Sequence, residues 1–111
     1  MEKIKMLFTT SENISGKHIV KTIGLVRGNT IRARHVGKDI MAALRTLVGG
    51  EIIEYTKLMA EAREQALDRM EAEAERLGAN AVIEVRFSTS VVLGGAAELL
   101  AYGTGVVIED E

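Results

Sequence analysis

With no cysteine among 111 residues, the side chains able to ligate a borderline-soft metal reduce to two histidines, His18 and His35, together with carboxylates. A closed zinc site needs four donors and a catalytic one three, and nothing in the spacing brings His18 and His35 together. They are candidate metal ligands, in a site that carboxylates or a second subunit would complete. The acid pairs Glu64/Asp68 and Glu71/Glu75 stand four residues apart and could hold a hard cation, although a solvated helix face explains such a pattern more simply. The missing cysteines also exclude disulfides, thiolate metal centres and a cysteine nucleophile. Ser11, Ser15, Ser88 and Ser90 have no nucleophile-elbow context, so no catalytic residue is assigned and no enzyme is expected. A metal ion is the one cofactor weighed.

Two glycine motifs invite a phosphate reading. Gly49-Gly50 precedes a helix start, where free N–H groups and the helix dipole attract anions. Glu51 and Glu54 already complement that helix end, however, and no Lys-Ser/Thr follows, so the pair reads as a corner. Gly103-x-Gly105 lies inside a strand pattern and leads into no helix, so it reads as packing. Charge is unevenly distributed. Residues 1–50 carry nine Lys or Arg against three acids, whereas residues 51–111 are acidic throughout. Arg27, Arg32, Arg34, Lys38 and Arg45 form a basic face, a weak candidate for anions. A net charge of −2 and only four aromatic residues argue against nucleic acid as a partner.

Periodicity sets the secondary structure that carries these residues. Residues 4–9 read as a short strand and 9–16 as polar turn material. Residues 18–26 read as a strand, with Gly28-Asn29 a turn into residues 30–36. From Asp39, Ile40, Ala43, Leu44 and Leu47 mark a short helix. Tyr55, Leu58, Met59, Ala62, Ala66, Met70, Ala74 and Leu77 then recur at steps of three and four, predicting a helix over 52–77 with Gly78 as its left-handed cap. Residues 81–92 and 98–109 read as strands, joined by a small-residue turn. Ala101, Gly103 and Gly105 are expected on the face that meets the alanine-rich helix. The expectation is a single α+β domain over residues 1–111, two layers, with a long helix, preceded by a short one, against a small, largely antiparallel sheet. No apolar run approaches a membrane span and no signal-like segment opens the chain, so a cytoplasmic protein without membrane contact is expected.

The order Thr9-Thr10, Gly16, the RGNTI stretch at 27–31, KDIMAALRTLVGGE at 38–51, Tyr55 and RLGANAV at 76–82 resembles the YbjQ family, small proteins of unknown function labelled as heavy-metal binders. The resemblance implies a dodecin-like subunit assembling into a homo-oligomeric ring, most simply a pentamer. Thr9, Thr10, Gly49, Gly50, Tyr55, Gly78 and Ala79 are then family-motif positions with mainly structural roles, and Ile52 and Ile53 would lie at a subunit interface. Two departures weaken the metal label for this chain. Arg86 and two serines dilute the acidic strand after the long helix, and Ile52-Ile53 replace polar residues after the glycine pair.

Overall fold

The structure is a computed structural model describing residues 6–32, 53–91 and 97–111. Its elements are β1 (Leu7–Phe8), β2 (Lys17–Arg32), α1 (Ile53–Arg76), β3 (Ala81–Val91) and β4 (Ala97–Asp110). The sheet order is β1-β3-β4-β2, with β1 parallel to β3 and the remaining pairs antiparallel. The result is a two-layer α+β arrangement, one helix against a small mixed sheet.

Helix α1 buries one row of side chains four residues apart. Ala62, Ala66, Met70 and Ala74 are shielded from solvent, because a four-residue step keeps side chains on one side of a 3.6-residue helix. Three of these four are alanine, so the helix can lie very close to the sheet. Its end carries both bonds of a Schellman cap: Ala79 N donates to Ala74 O at 2.9 Å and Gly78 N to Glu75 O at 3.0 Å, with Gly78 at φ +93°.

The expected turn at Gly28-Asn29 does not exist. β2 runs unbroken through it, with Gly28 paired to Ala101 and Asn29 to Leu100. Glycine is needed at 28 for clearance. A Cβ there would run into the backbone of Ala66 and Met70 and stand 2.7 Å from Arg69 Cβ. Of the described glycines it is Gly28 on β2, rather than those of β4, that lies against the helix. Gly103 instead fits against Val82 and Val85 of β3, and Gly105 against Val26 and Ala79. Three hydrogen bonds frame the close approach. Thr30 Oγ1 donates to Ala62 O at 3.3 Å, Arg69 Nη1 to Asn29 O at 2.6 Å, and Arg27 N to Glu73 Oε1 at 3.2 Å. The last two engage backbone groups on the outer edge of β2, which has no neighbouring strand among the described residues.

The other face of the sheet has a second small core. Ala81, Ile83, Val106 and Ile108 are buried there, with Ile14 of the 9–16 segment packed against them. Asn80 ties the helix cap to this end. Its Nδ2 donates to Ile108 O at 3.0 Å and its Oδ1 accepts from Ile108 N at 2.7 Å, so the amide pairs with β4 as a strand backbone would. Gly49-Gly50, Ile52, the short helix expected from Asp39 and the small-residue turn before β4 lie outside the described residues, wholly or in large part.

Candidate functional site

Among the described residues, one polar cluster borders an open cleft and another a strand bulge. The first is the start of β2, where the antiparallel register sets Lys17 opposite Asp110 and His18 opposite Glu109. The polar segment 13–16 borders an open cleft here of about 570 Å³, lined also by Lys17, His18, Ile108 and Glu111. Lys17 Nζ and the Asp110 carboxylate form an ion pair. The hydrogen bond from Lys17, and then its charge, hold the Asp110 carboxyl below the ordinary aspartate range. His18 is exposed, with Glu109 as its cross-strand neighbour. An imidazole and one carboxylate provide two metal donors. Among the described residues no group of three or more His, Asp or Glu could hold an ion.

The second place is the join of Thr9-Thr10-Ser11 to β3. Thr9 N donates to Val82 O and Val85 N to Thr9 O, while Glu84 N donates to Ser11 O, each at 3.0 Å. The segment thus continues β1 alongside β3. Ser11 N donates to Thr9 Oγ1 at 3.2 Å, closing a local turn that the two hydroxyls reinforce at 2.8 Å. Opposite it, β3 carries a bulge between Ile83 and Arg86, in which Glu84 takes φ 54°, a conformation uncommon for a residue with a side chain. A bulge re-aims the side chains that follow it. Here Arg86 Nη1 reaches Thr10 O at 2.8 Å and its neighbour's Val85 O at 2.9 Å.

The expected site residues are spread out. His18 lies at the cleft, and His35 lies outside the described residues, as do Arg34, Lys38 and Arg45. Arg27 is exposed on the sheet face opposite the helix, and Arg32 ends β2. Thr9 and Thr10 meet β3, Gly78 and Ala79 cap α1, and Tyr55 and Ile53 fall in its first turn. Two residues with clear tertiary roles escaped the sequence reading. Asn80 carries a signal in its place after the cap glycine. Arg86 carries none, because its partners depend on a bulge.

Residues 6–109 match a family model, YbjQ_1, described as "Putative heavy-metal-binding". A UPF0145 protein of Dehalococcoides mccartyi strain BAV1 is 60% identical over 104 residues, spanning 94% of this chain and 100% of its own length. A UPF0145 protein of Methanosarcina acetivorans is 57% identical over 103 residues, spanning 93% and 97%. The chain also resembles the crystal structure of a protein of unknown function of the DUF74 family from Pediococcus pentosaceus, with TM-score 0.61 and 18% identity over 94% of this chain and 98% of that one. At that identity the likeness concerns the fold.

Proposed function

The chain belongs to the YbjQ family, and from that premise we propose that it is a non-enzymatic, cytoplasmic binding or structural protein that works as a ring-shaped homo-oligomer with a dodecin-like subunit, most simply a pentamer. The observation that carries the reading is the outer edge of β2. A long edge strand is a template for pairing with another chain unless it is short, charged or covered. This one is 16 residues long, and Glu73 and Arg69 meet its outer backbone groups at Arg27 and Asn29. Four of its apolar residues, Ile19, Val20, Leu25 and Ile31, are exposed, Leu25 and Ile31 by 61% and 62%. On the opposite side of the sheet β3 extends past its two-residue partner β1, leaving a second edge beyond Val85 among the described residues. Two different edges on opposite sides favour a head-to-tail contact, which closes into a ring when the rotation permits. Sedimentation velocity on the untagged chain tests this. A single species of several subunits at micromolar concentration is expected, and a monomer would refute it.

A metal-handling role is the second reading, favoured by the family description and by His18 standing opposite Glu109. In a ring, a neighbour would supply the remaining donors. Elemental analysis of untagged protein should then find metal that is lost in His18→Ala. Metal content that is the same in both proteins removes His18 from the reading.

A further inference from the structure

One row of side chains on the sheet has no part in either reading. Arg27 on β2 and Arg86 on β3 are each the cross-strand partner of Tyr102 on β4. Directly opposed residues share a face, so the row Arg27, Tyr102, Arg86 crosses three adjacent strands side by side. Their sequence neighbours Val26, Gly28 and Ala101 are buried, Gly28 directly beneath α1, which places the row on the face away from the helix. Tyr102 is half-buried and both arginines are exposed.

Register brings the row closer still. Arg27 N points to the outer edge, toward Glu73, so Arg27 and Tyr102 form a non-hydrogen-bonded pair, the kind in which opposed side chains stand nearest. Strands about 4.8 Å apart put the two arginine Cα atoms about 10 Å from each other, and with Arg86 drawn toward Thr10 on the β1 side of β3 it is Arg27 that must reach across the tyrosine. Arg86 is held in place from one side. Its Nη1 is spent on Thr10 O and Val85 O, which among the described residues leaves Nη2 and Nε, the side-on fork that matches two oxygens of one anion. This anchoring gives the bulge at Glu84 a use, since the bulge and the Thr9–Ser11 segment set the carbonyls that Arg86 meets. Of the carboxylates around β2, Glu73 binds the edge backbone and Glu98 accepts from Asn29 Nδ2 at 3.1 Å, while Glu84 in the bulge is exposed.

We propose that Arg27, Arg86 and Tyr102 form a binding site for a phosphate group, with the anion between the two guanidinium groups and the tyrosine ring as the floor. Two arginine forks on separate strands suit a tetrahedral anion, which offers oxygens in several directions, better than a single planar carboxylate. An aromatic floor adds a stacking surface if the phosphate is carried by a nucleotide. Calorimetric titration of the untagged full chain with inorganic phosphate, adenosine monophosphate and adenosine tests the site and separates its sources. Saturable binding of the nucleotide and none of adenosine is expected. Inorganic phosphate binding as tightly as the nucleotide supports the site and identifies the free anion as its ligand. Arg27→Gln and Arg86→Gln should each weaken binding at least tenfold with unchanged circular dichroism. Lys21→Gln, a surface charge elsewhere on β2, should leave affinity within about twofold. No saturable binding of either phosphate compound at millimolar concentration would overturn the proposal, as would binding that both arginine variants retain or that Lys21→Gln weakens equally.

Discussion

Replacing Gly28 with alanine tests the central packing claim. The new methyl would stand 2.7 Å from Arg69 Cβ and still nearer the backbone of Ala66 and Met70, where ordinary contact begins at 3.4 Å. Helix and strand would have to separate by roughly 1 Å, an overpacking that costs about 1–3 kcal/mol in a well-packed interior. Separation also strains the bonds from Thr30 to Ala62, Arg69 to Asn29 and Arg27 to Glu73, each contributing about 1 kcal/mol net. If all three bonds are lost, the sum is about 4–6 kcal/mol, a large share of the roughly 5–15 kcal/mol that holds a chain of this size folded. Urea denaturation followed by circular dichroism, at fixed protein concentration, should show the midpoint falling by about 2 M, given a slope near 1–3 kcal/mol per M. Because the obstacle is backbone, Ala66→Gly should not rescue Gly28→Ala. A midpoint within about 0.3 M of the parent, below 1 kcal/mol on that slope, would refute the reasoning, and so would rescue by Ala66→Gly.

Further tests probe the other supports. Met70→Ala empties a fully buried position beneath the helix and should cost about 2–5 kcal/mol by chemical denaturation; a loss below 1 kcal/mol would show that the alanine row alone holds the layers. Asn80→Ala removes both bonds to Ile108 and should cost about 1–3 kcal/mol, with faster amide exchange at Ile108 as a local readout. Asp110→Asn tests the pair with Lys17. The folded-state pKa of Asp110 lies below its ordinary value of 3.8, so the stabilisation is present in full above that value and disappears as pH falls through the lowered pKa. The parent should melt above the variant near neutrality, the gap closing once pH drops well below 3.8; a gap that persists in strong acid would show that the ionised carboxylate is not its source.

Much of the architecture was legible because it rests on short-range pattern. The step from Ala62 through Ala66 and Met70 to Ala74 marks a buried helix face whatever it packs on, and Gly78 marks the helix end because only a residue without Cβ enters the left-handed cap without strain. The candidate site was far less legible. His18 and the basic residues could be named from their types, but His18 standing opposite Glu109 and Arg27 opposite Tyr102 depend on strand register, which a one-residue slip would reverse.

Gly28 marks the point where local pattern stops being informative and long-range packing takes over. Read locally, a glycine followed by asparagine is a turn, since both residues enter tight turns readily. In the fold that glycine sits mid-strand because a helix some forty residues further along the chain needs its side-chain space, and no local signal reports the distance between two backbones. Arg86 belongs to the same class. In sequence it only dilutes an acidic strand. The bulge at Glu84 and the antiparallel pairing with β4 set it beside Tyr102, across from Arg27, and that convergence of three strands exists only once the sheet has formed.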